Sequence, residues 1–206
     1  MTAERTRVGG RARRPRRTAA WALAAVLPWL GACSGNPAAR DAADLTNSRL
    51  SPAYAQWLVG PVAALATSEE EREFLALEGD FAAADFVEAF WRRRDPDPST
   101  PGNPVRETFE RRVEEADRRF GESGVSGRKT ARGVIHVLYG EPERTDYEIP
   151  RRGGPAVEVW FYPEDAPPGL DGRPPQGSYR FQKVGDVTDF YRPGGPPQRP
   201  PGPRPR

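Results

Sequence analysis

Apolar residues recur every three or four positions in the first half of the chain, a spacing typical of one face of an α-helix. The pattern is clearest after Asn103, a favourable N-cap, and Pro104, which suits the first helical turn. We expect this helix to end at Gly121 and to pack its apolar face against a sheet. That face carries Val105, Phe109, Val113, Ala116 and Phe120.

The opposite face of the same helix is charged, and acids stand four residues before arginines along it. Ion pairs at this spacing stabilise an isolated helix by about 0.2–0.5 kcal/mol each. The sequence predicts the pairs Glu107–Arg111, Glu114–Arg118 and Glu115–Arg119.

Two earlier segments are also predicted to be helical. A capping box is predicted at Ser68 to Glu71, directly ahead of an apolar run. The next helix is predicted over residues 80–94, and it should end at Asp95 because the residue before Pro96 is pushed out of the α region. Its apolar stripe consists of Ala83, Phe86, Val87, Phe90 and Trp91.

After Gly133 the apolar residues follow a period of two, which indicates β-strands. Strands are predicted over residues 134–139, 157–162 and 178–183, with a short fourth at 187–191. Loops join them without intervening helices, so we expect antiparallel pairing. The predicted fold class is α+β, with a helical N-terminal half followed by a small antiparallel β-sheet in a single domain.

The N-terminal residues have the composition of an export signal. Residues 1–32 hold seven arginines and one acid, and residues 18–30 form an uncharged run too short to span a membrane. The run ends at Leu30-Gly31-Ala32-Cys33, which resembles the lipobox of bacterial lipoproteins. The alternatives are an ordinary secreted protein with an incidental cysteine, or a short buried core helix.

This resemblance implies a signal peptide over residues 1–32 that is cleaved, and a mature chain that begins at lipidated Cys33. The lipid would hold the protein in the cell envelope. Because Ser34 follows the cysteine, the outer membrane, at its periplasmic face, is favoured over the inner membrane. The paired arginines of residues 13–17 leave both general and twin-arginine export open.

The remaining chain divides by composition into a linker, a domain and a tail. Residues 33–50 are small and polar, residues 51–191 suit one domain, and residues 192–206 hold seven prolines and no acid. We expect that Pro-rich tail to be disordered. The whole chain has a net charge of +2, but residues 33–191 alone carry 20 basic and 28 acidic residues. A body with excess acid argues against nucleic-acid binding.

Several short motifs in this body occur in a fixed order. An aromatic pair, a basic run and RDP come first, then a T-P-x-N step, a long helix ending in RFG, RG, YGxP and an E-x-W-x-Y strand. The order resembles the GWxTD domain of bacterial envelope proteins and covers about residues 74–190. The matching structural positions are Trp91, Arg94, Asp95, Pro96, Asn103, Arg132, Gly133, Tyr139, Gly140, Pro142 and Trp160.

The chain departs from the family in the segment that gives the family its name. Gly127 and Thr130 are present, but Arg128 replaces the tryptophan and Ala131 replaces the aspartate. If those two residues carry an activity or a ligand contact, this chain lacks it. The resemblance implies a fold and a location, and it brings no activity that can be carried over.

The charged motif residues allow two chemical interpretations. Arg94 with Asp95, and Arg132 with nearby acids, can form a buried ion-pair network that holds helix ends to strand starts. They can also form an anion site or a carboxylate pair. A calcium loop at Asp95 to Asp97 is disfavoured, because Pro98 and Ser99 stand where further ligands would begin.

Apart from these charged residues, the sequence offers few side chains that could catalyse a reaction or bind a metal. His136 is the only histidine and falls in a predicted strand without a nucleophile motif such as GxSxG. Trp160 is expected in the core. We therefore predict an interaction or structural module that binds an envelope protein or a cell-wall component, with no catalytic residue, metal or cofactor. The alternative is a carboxylate-dependent hydrolase or lyase that uses Asp95 or Glu158 with Arg94 or Arg132.

Overall fold

The computed structural model of the chain describes residues 42–150 and 154–193. Within them, helices come first and a four-stranded antiparallel sheet follows, which confirms the predicted α+β fold. The helices are α1 (Pro61–Leu65), α2 (Ser68–Ala76), α3 (Asp80–Arg92), α4 (Pro104–Phe120) and α5 (Ala131–Tyr139), with a 3₁₀ turn at Gly127–Lys129 between the last two. The strands are β1 (Arg144–Glu148), β2 (Val157–Phe161), β3 (Ser178–Val184) and β4 (Val187–Phe190).

The predicted signal peptide, Cys33 and nearly all of the predicted Pro-rich tail lie outside the described residues. In the described part of the chain, every helix is too short or too polar to cross a membrane.

Side chains at the helix starts follow the sequence closely. Asn103 caps α4 as predicted, since its side-chain oxygen accepts from the backbone N–H groups of Val105 (3.1 Å) and Arg106 (3.0 Å). Its amide nitrogen also donates to the Trp91 carbonyl at 2.7 Å, which ties the end of α3 to the start of α4. The capping box of α2 is present one residue earlier than predicted, between Thr67 and Glu70.

The strand predicted at residues 134–139 is wrong, because this segment belongs to helix α5. Thr130 caps the helix by accepting from the Gly133 N–H at 3.1 Å. Nearly every residue of α5 is buried, so no polar face interrupts the apolar run and reveals a helical period. Gly140 ends the helix with φ of 81° and ψ of −156°, a backbone conformation that favours glycine. His136 therefore lies on a helix.

Helix α4 packs mainly against other helices. Its Phe109 ring lies 4.9 Å from the Trp91 ring of α3, and the helix also packs against α5. Phe120, at the C-terminal end, does reach the sheet, with its ring centroid 5.5 Å from that of Trp160. The expectation that the whole apolar face meets the sheet is correct at Phe120 and wrong at Phe109.

The predicted ion pairs on the exposed face of α4 are also wrong. The structure pairs Arg106 with Glu110 at 2.8 Å and Arg111 with Glu115 at 3.2 Å, so the base precedes the acid. Two of the residues in these pairs also contact other helices. Glu115 is held by His136 of α5, and Arg106 also reaches Glu88 of α3 at 3.0 Å.

The sheet is a meander in which each strand pairs with its sequence neighbour. β2, β3 and β4 were predicted, whereas β1 was not, because its residues are mostly polar and all exposed. On the side that faces the helices, Trp160 of β2 contacts Phe181 of β3 with ring centroids 5.0 Å apart. Among the described residues, β1 pairs with β2 alone and forms one edge of the sheet.

Candidate functional site

Arg94 is held by a carboxylate that the sequence analysis did not identify. Glu70, on the first turn of α2, accepts from Arg94 at 2.7 Å and from Arg93 at 3.0 Å. Arg94 also donates to the Leu65 carbonyl at 2.6 Å, and its guanidinium lies 3.5 Å from the centroid of the Phe90 ring. The cluster therefore joins the C-terminal end of α3 to α1 and α2.

The charge of Glu70 is strongly stabilised in this cluster. Burial raises the pKa of the carboxyl, but hydrogen bonds from Arg94, the Thr67 backbone and Arg93 outweigh it and lower the pKa from 4.5 to about 2. Glu70 is thus ionised at neutral pH, and both carboxylate oxygens are engaged with donors of the same chain.

The predicted pairing of Arg94 with Asp95 is wrong. Asp95 instead accepts from the backbone N–H of Asp97 at 3.0 Å, just before Pro96 and the turn that leads to α4. Asp97 accepts in the same way from Ser99. Across the described residues, no group of three or more histidine, cysteine or acidic side chains is arranged to hold a metal ion.

Arg132 is the centre of a second ion-pair network, as expected. It donates to Glu122, in the loop after α4, and to Glu158 of β2 at 3.1 Å. The other oxygen of Glu158 accepts from the Trp160 indole N–H at 2.8 Å. Sequence analysis identified Arg132, Glu158 and Trp160 but not Glu122. The one sequence signal for Glu122 is its position directly after the RFG motif that ends the long helix.

Glu122 extends this network to the far edge of the sheet. Its second oxygen accepts from the backbone N–H (3.1 Å) and the hydroxyl (3.0 Å) of Thr188 on β4. Burial raises the pKa of Glu122, but the bonds from Arg132 and Thr188 outweigh it, and the pKa is lowered. The side chains of Arg132, Glu122 and Glu158 are each no more than 20% exposed.

The glycine and threonine of the name-giving segment bring backbones into contact. A Cβ atom at Gly127 would lie 2.6 Å from the carbonyl carbon of Ala116 on α4. One at Gly133 would lie equally close to the carbonyl carbon of Gly127. Thr130 donates to the Gly127 carbonyl at 2.8 Å while it caps α5. These residues therefore allow α4, the 3₁₀ turn and α5 to pack without side chains between them.

Tyr139, Gly140 and the aromatic residues of the sheet form a third structural cluster. The Tyr139 hydroxyl donates to Asp171 at 3.0 Å, and its ring stacks on Tyr179 with centroids 5.7 Å apart. The Tyr162 hydroxyl donates to the Gly140 carbonyl at 2.8 Å, and burial raises the pKa of both Tyr139 and Tyr162. The turn that contains Pro142 follows directly and leads into β1.

His136 is 1% exposed and contacts groups of α4. Its Nε2 lies 3.1 Å from a Glu115 oxygen, and its ring lies 5.5 Å from that of Phe120. Nδ1 has no hydrogen-bond partner among the described residues. Burial lowers the pKa of His136, and the bond to Glu115 opposes this shift. The imidazole is therefore neutral at neutral pH and packs as part of the core.

A cleft of about 590 Å³ opens on the other side of α4. Its apolar wall includes Trp57, Trp91, Phe109 and Val113. Arg128, which stands in the place of the family tryptophan, also lines it. The sequence analysis did not predict this cleft.

The fold and these clusters together define an α+β domain whose motif residues cap helices, pair charges and bring backbones into contact. A profile of the GWxTD domain matches residues 47–170, which is more than half of the chain. The chain belongs to the GWxTD domain family, as the motif order predicted. No curated protein and no solved structure matches it.

Two members of the name-giving segment differ from the family pattern, and the structure shows what replaces them. Arg128 donates through Nε to Asp117 of α4 at 2.8 Å and through its backbone N–H to the same carboxylate at 2.9 Å. Ala131 is the first residue of α5 and is buried. The segment thus keeps its structural glycine and cap while it loses one aromatic and one acidic side chain.

Proposed function

We propose that this protein is a lipid-anchored protein of the bacterial cell envelope whose domain acts as an interaction or structural module without catalysis of its own. The observation that carries the proposal is the pairing of the two motif arginines. Arg94 is bound by Glu70, and Arg132 by Glu122 and Glu158. Charges that bind one another are not available to a substrate, and such pairs serve to hold elements together.

The alternative of a carboxylate-dependent hydrolase or lyase receives less support from this geometry. Glu158 does lie beside Arg132, but one of its oxygens accepts from Arg132 and the other from Trp160. A general acid or base must reach the proton that it transfers. Asp95, the other candidate, does not pair with Arg94, because Arg94 is bound to Glu70.

An open sheet edge supports the interaction role. Every residue of β1 is exposed, and Tyr147 (64%) and the following Ile149 (82%) expose large apolar side chains. An unpaired edge strand presents N–H and C=O groups that a partner strand can use. The strand also carries Arg144, Asp146 and Glu148, which disfavour indiscriminate pairing.

The interaction role is tested by affinity capture from the protein's own membranes. We expect one partner to be recovered, and we expect Tyr147→Lys to reduce its recovery by at least fivefold, because the change places a charge in the edge contact. Phe81→Lys is the matched control, since Phe81 is 94% exposed and belongs to helix α3, not to the sheet. Equal recovery with both variants, or a catalytic turnover that Glu158→Gln abolishes in a fully folded protein, would contradict the proposal.

The anchoring role is tested at the lipobox-like segment. Cys33→Ala should move the protein from the membrane fraction to the soluble fraction, because a triacylated cysteine supplies the acyl chains that stable anchoring needs. Ala32→Gly keeps a small residue before the cysteine and should leave the protein with the membranes. Fractionation of cells followed by quantification of both fractions measures the effect. Retention of the Cys33→Ala variant in the membrane would show that the anchor is wrongly assigned.

A further inference from the structure

The two edge strands of the sheet differ in how far the rest of the domain covers them. β4 packs against α5, and its Thr188 is buried and bonded to Glu122. Within the described part of the chain, β1 pairs with β2 alone, and every one of its side chains is exposed. β1 is therefore the edge to which a further strand can be added.

A cation and an anion stand side by side on the outer face of β1. Side chains alternate between the two faces of a strand, and Thr145 lies opposite Trp160 of β2, on the face that meets the helices. Arg144 and Asp146 therefore share the other face, where both side chains are 57% exposed and joined at 2.7 Å. The Arg144 guanidinium also lies over the ring of Phe161, 4.0 Å from its centroid. These contacts hold both charges in place along the open edge.

A second copy of β1 carries the charges that complement this edge. In an antiparallel pair centred on Thr145, Thr145 lies opposite its own copy, and Arg144 of each chain lies opposite Asp146 of the other. Opposite side chains share a face, with Cβ atoms about 4.5–5.5 Å apart. Because a guanidinium has several N–H donors, each Arg144 can bind Asp146 of its own chain and Asp146 of the other copy. Every charge in this group then has neighbours of the opposite sign.

The charges of β1 also disfavour the other symmetric registers. A pair centred on Asp146 sets Arg144 opposite Glu148, but it also sets Asp146 against Asp146. A pair centred on Tyr147 sets Asp146 against Glu148 twice, and one centred on Arg144 sets two arginines against each other. Like charges directly opposite each other destabilise a strand pair. Of these registers, the one centred on Thr145 alone has no like-charged pair.

We infer that the open edge of β1 binds β1 of a second copy of this protein, antiparallel and with Thr145 on the two-fold axis. The two sheets then continue into one. This inference rests on the proposed interaction role and identifies the partner at that edge. The strand is short, so the pair is stable only where two copies are held close together. The proposed lipid anchor does this, because confinement to one membrane raises the local concentration of each copy for the other.

Co-expression of two full-length copies with different affinity tags tests the pairing, and capture of one from solubilised membranes should recover the other. Arg144→Asp in both copies should lower this recovery at least tenfold, because only acids then meet across the axis. Asp146→Arg in both copies should do the same, because only arginines meet. One copy of each variant should restore recovery to within about threefold of the unchanged pair, since every acid again lies opposite an arginine. Misfolding of a variant cannot produce this rescue.

Cysteine substitutions measure the register. Thr145→Cys should give a disulfide-linked dimer when membranes are mildly oxidised, because directly opposite residues have the Cα separation that a disulfide needs. Tyr147→Cys is the matched control, since in this register the two copies of position 147 lie about 13 Å apart along the strands. Cys33 is the only cysteine of the unchanged chain and is the residue proposed to carry lipid.

Three results would overturn the inference. They are failure to recover the second copy, failure of the mixed charge variants to restore recovery, and linking through Tyr147→Cys as efficient as through Thr145→Cys. Arg118→Asp reverses an exposed charge on α4 and should leave recovery unchanged, so an equal loss with this variant would also count against β1. Capture of a different protein through β1, without a second copy, would remove this inference and leave the interaction role standing.

Discussion

Gly133→Ala should lower the free energy of unfolding by more than about 4 kcal/mol, and the domain should be largely unfolded at 37 °C. The added methyl group would lie 2.6 Å from the carbonyl carbon of Gly127. A flexible side chain could move away from this contact, but a backbone carbonyl in a capped turn cannot. The 3₁₀ turn and α5 would have to separate, and the buried contacts between α4 and α5 would be lost.

Two physical effects predict opposite changes in stability for Gly133→Ala, so the measurement distinguishes them. In an exposed helix, alanine is favoured over glycine by about 1 kcal/mol, so helix propensity alone predicts that Gly133→Ala stabilises α5. Urea denaturation followed by circular dichroism gives the free energy of unfolding. Gly177→Ala is the matched control, because a Cβ atom there meets nothing within 4 Å. A stable Gly133→Ala variant would show that the close packing of these backbones is wrong.

Glu70→Gln should lower the free energy of unfolding by about 3 kcal/mol at neutral pH. The glutamine keeps the shape of the side chain but removes the charge that compensates Arg94, which is 18% exposed. A pKa lowered from 4.5 to about 2 corresponds to about 3 kcal/mol at about 1.4 kcal/mol per pKa unit. Removal of one partner from a buried pair has an effect of similar size.

The same pair predicts how stability depends on pH. Because the pKa of Glu70 is lower in the folded state, its contribution is complete above the unfolded value of 4.5 and is lost as the pH falls toward about 2. Urea denaturation across this window should therefore show a steeper loss of stability in the unchanged protein than in Glu70→Gln. Glu69→Gln, exposed on the same turn, should keep the steep profile. Parallel profiles for the protein and Glu70→Gln would contradict the assignment.

Local sequence rules predicted the helix starts well and failed where burial changed the pattern. Asn103 caps α4 because the residue types at the N-cap and first turn determine that geometry directly. Helix α5 was mistaken for a strand because it is buried on nearly all sides, so its apolar residues carry no readable period. β1 was missed for the opposite reason, since a fully exposed edge strand needs no apolar residues.

The sequence predicted that the motif arginines form ion pairs, but it did not predict which acids they bind. The expectation that Arg94 and Arg132 bind acids of the same chain is confirmed. Their partners Glu70 and Glu122 were not identified, because Glu70 lies 24 positions from Arg94 and Glu122 lies 10 positions from Arg132. Only the three-dimensional packing of α2 on α3, and of the loop after α4 on α5, brings these charges together.

The route by which the chain folds follows from the meander of the sheet. Each strand pairs with the next along the sequence, so hairpins can form early with little loss of chain entropy. The bonds from Glu122 to Thr188 close a loop of 66 residues between the helical half and the last strand. Contacts that close long loops tend to form late. We therefore expect the sheet to nucleate on its own. The ion-pair network of Glu122 should chiefly lower the rate of unfolding.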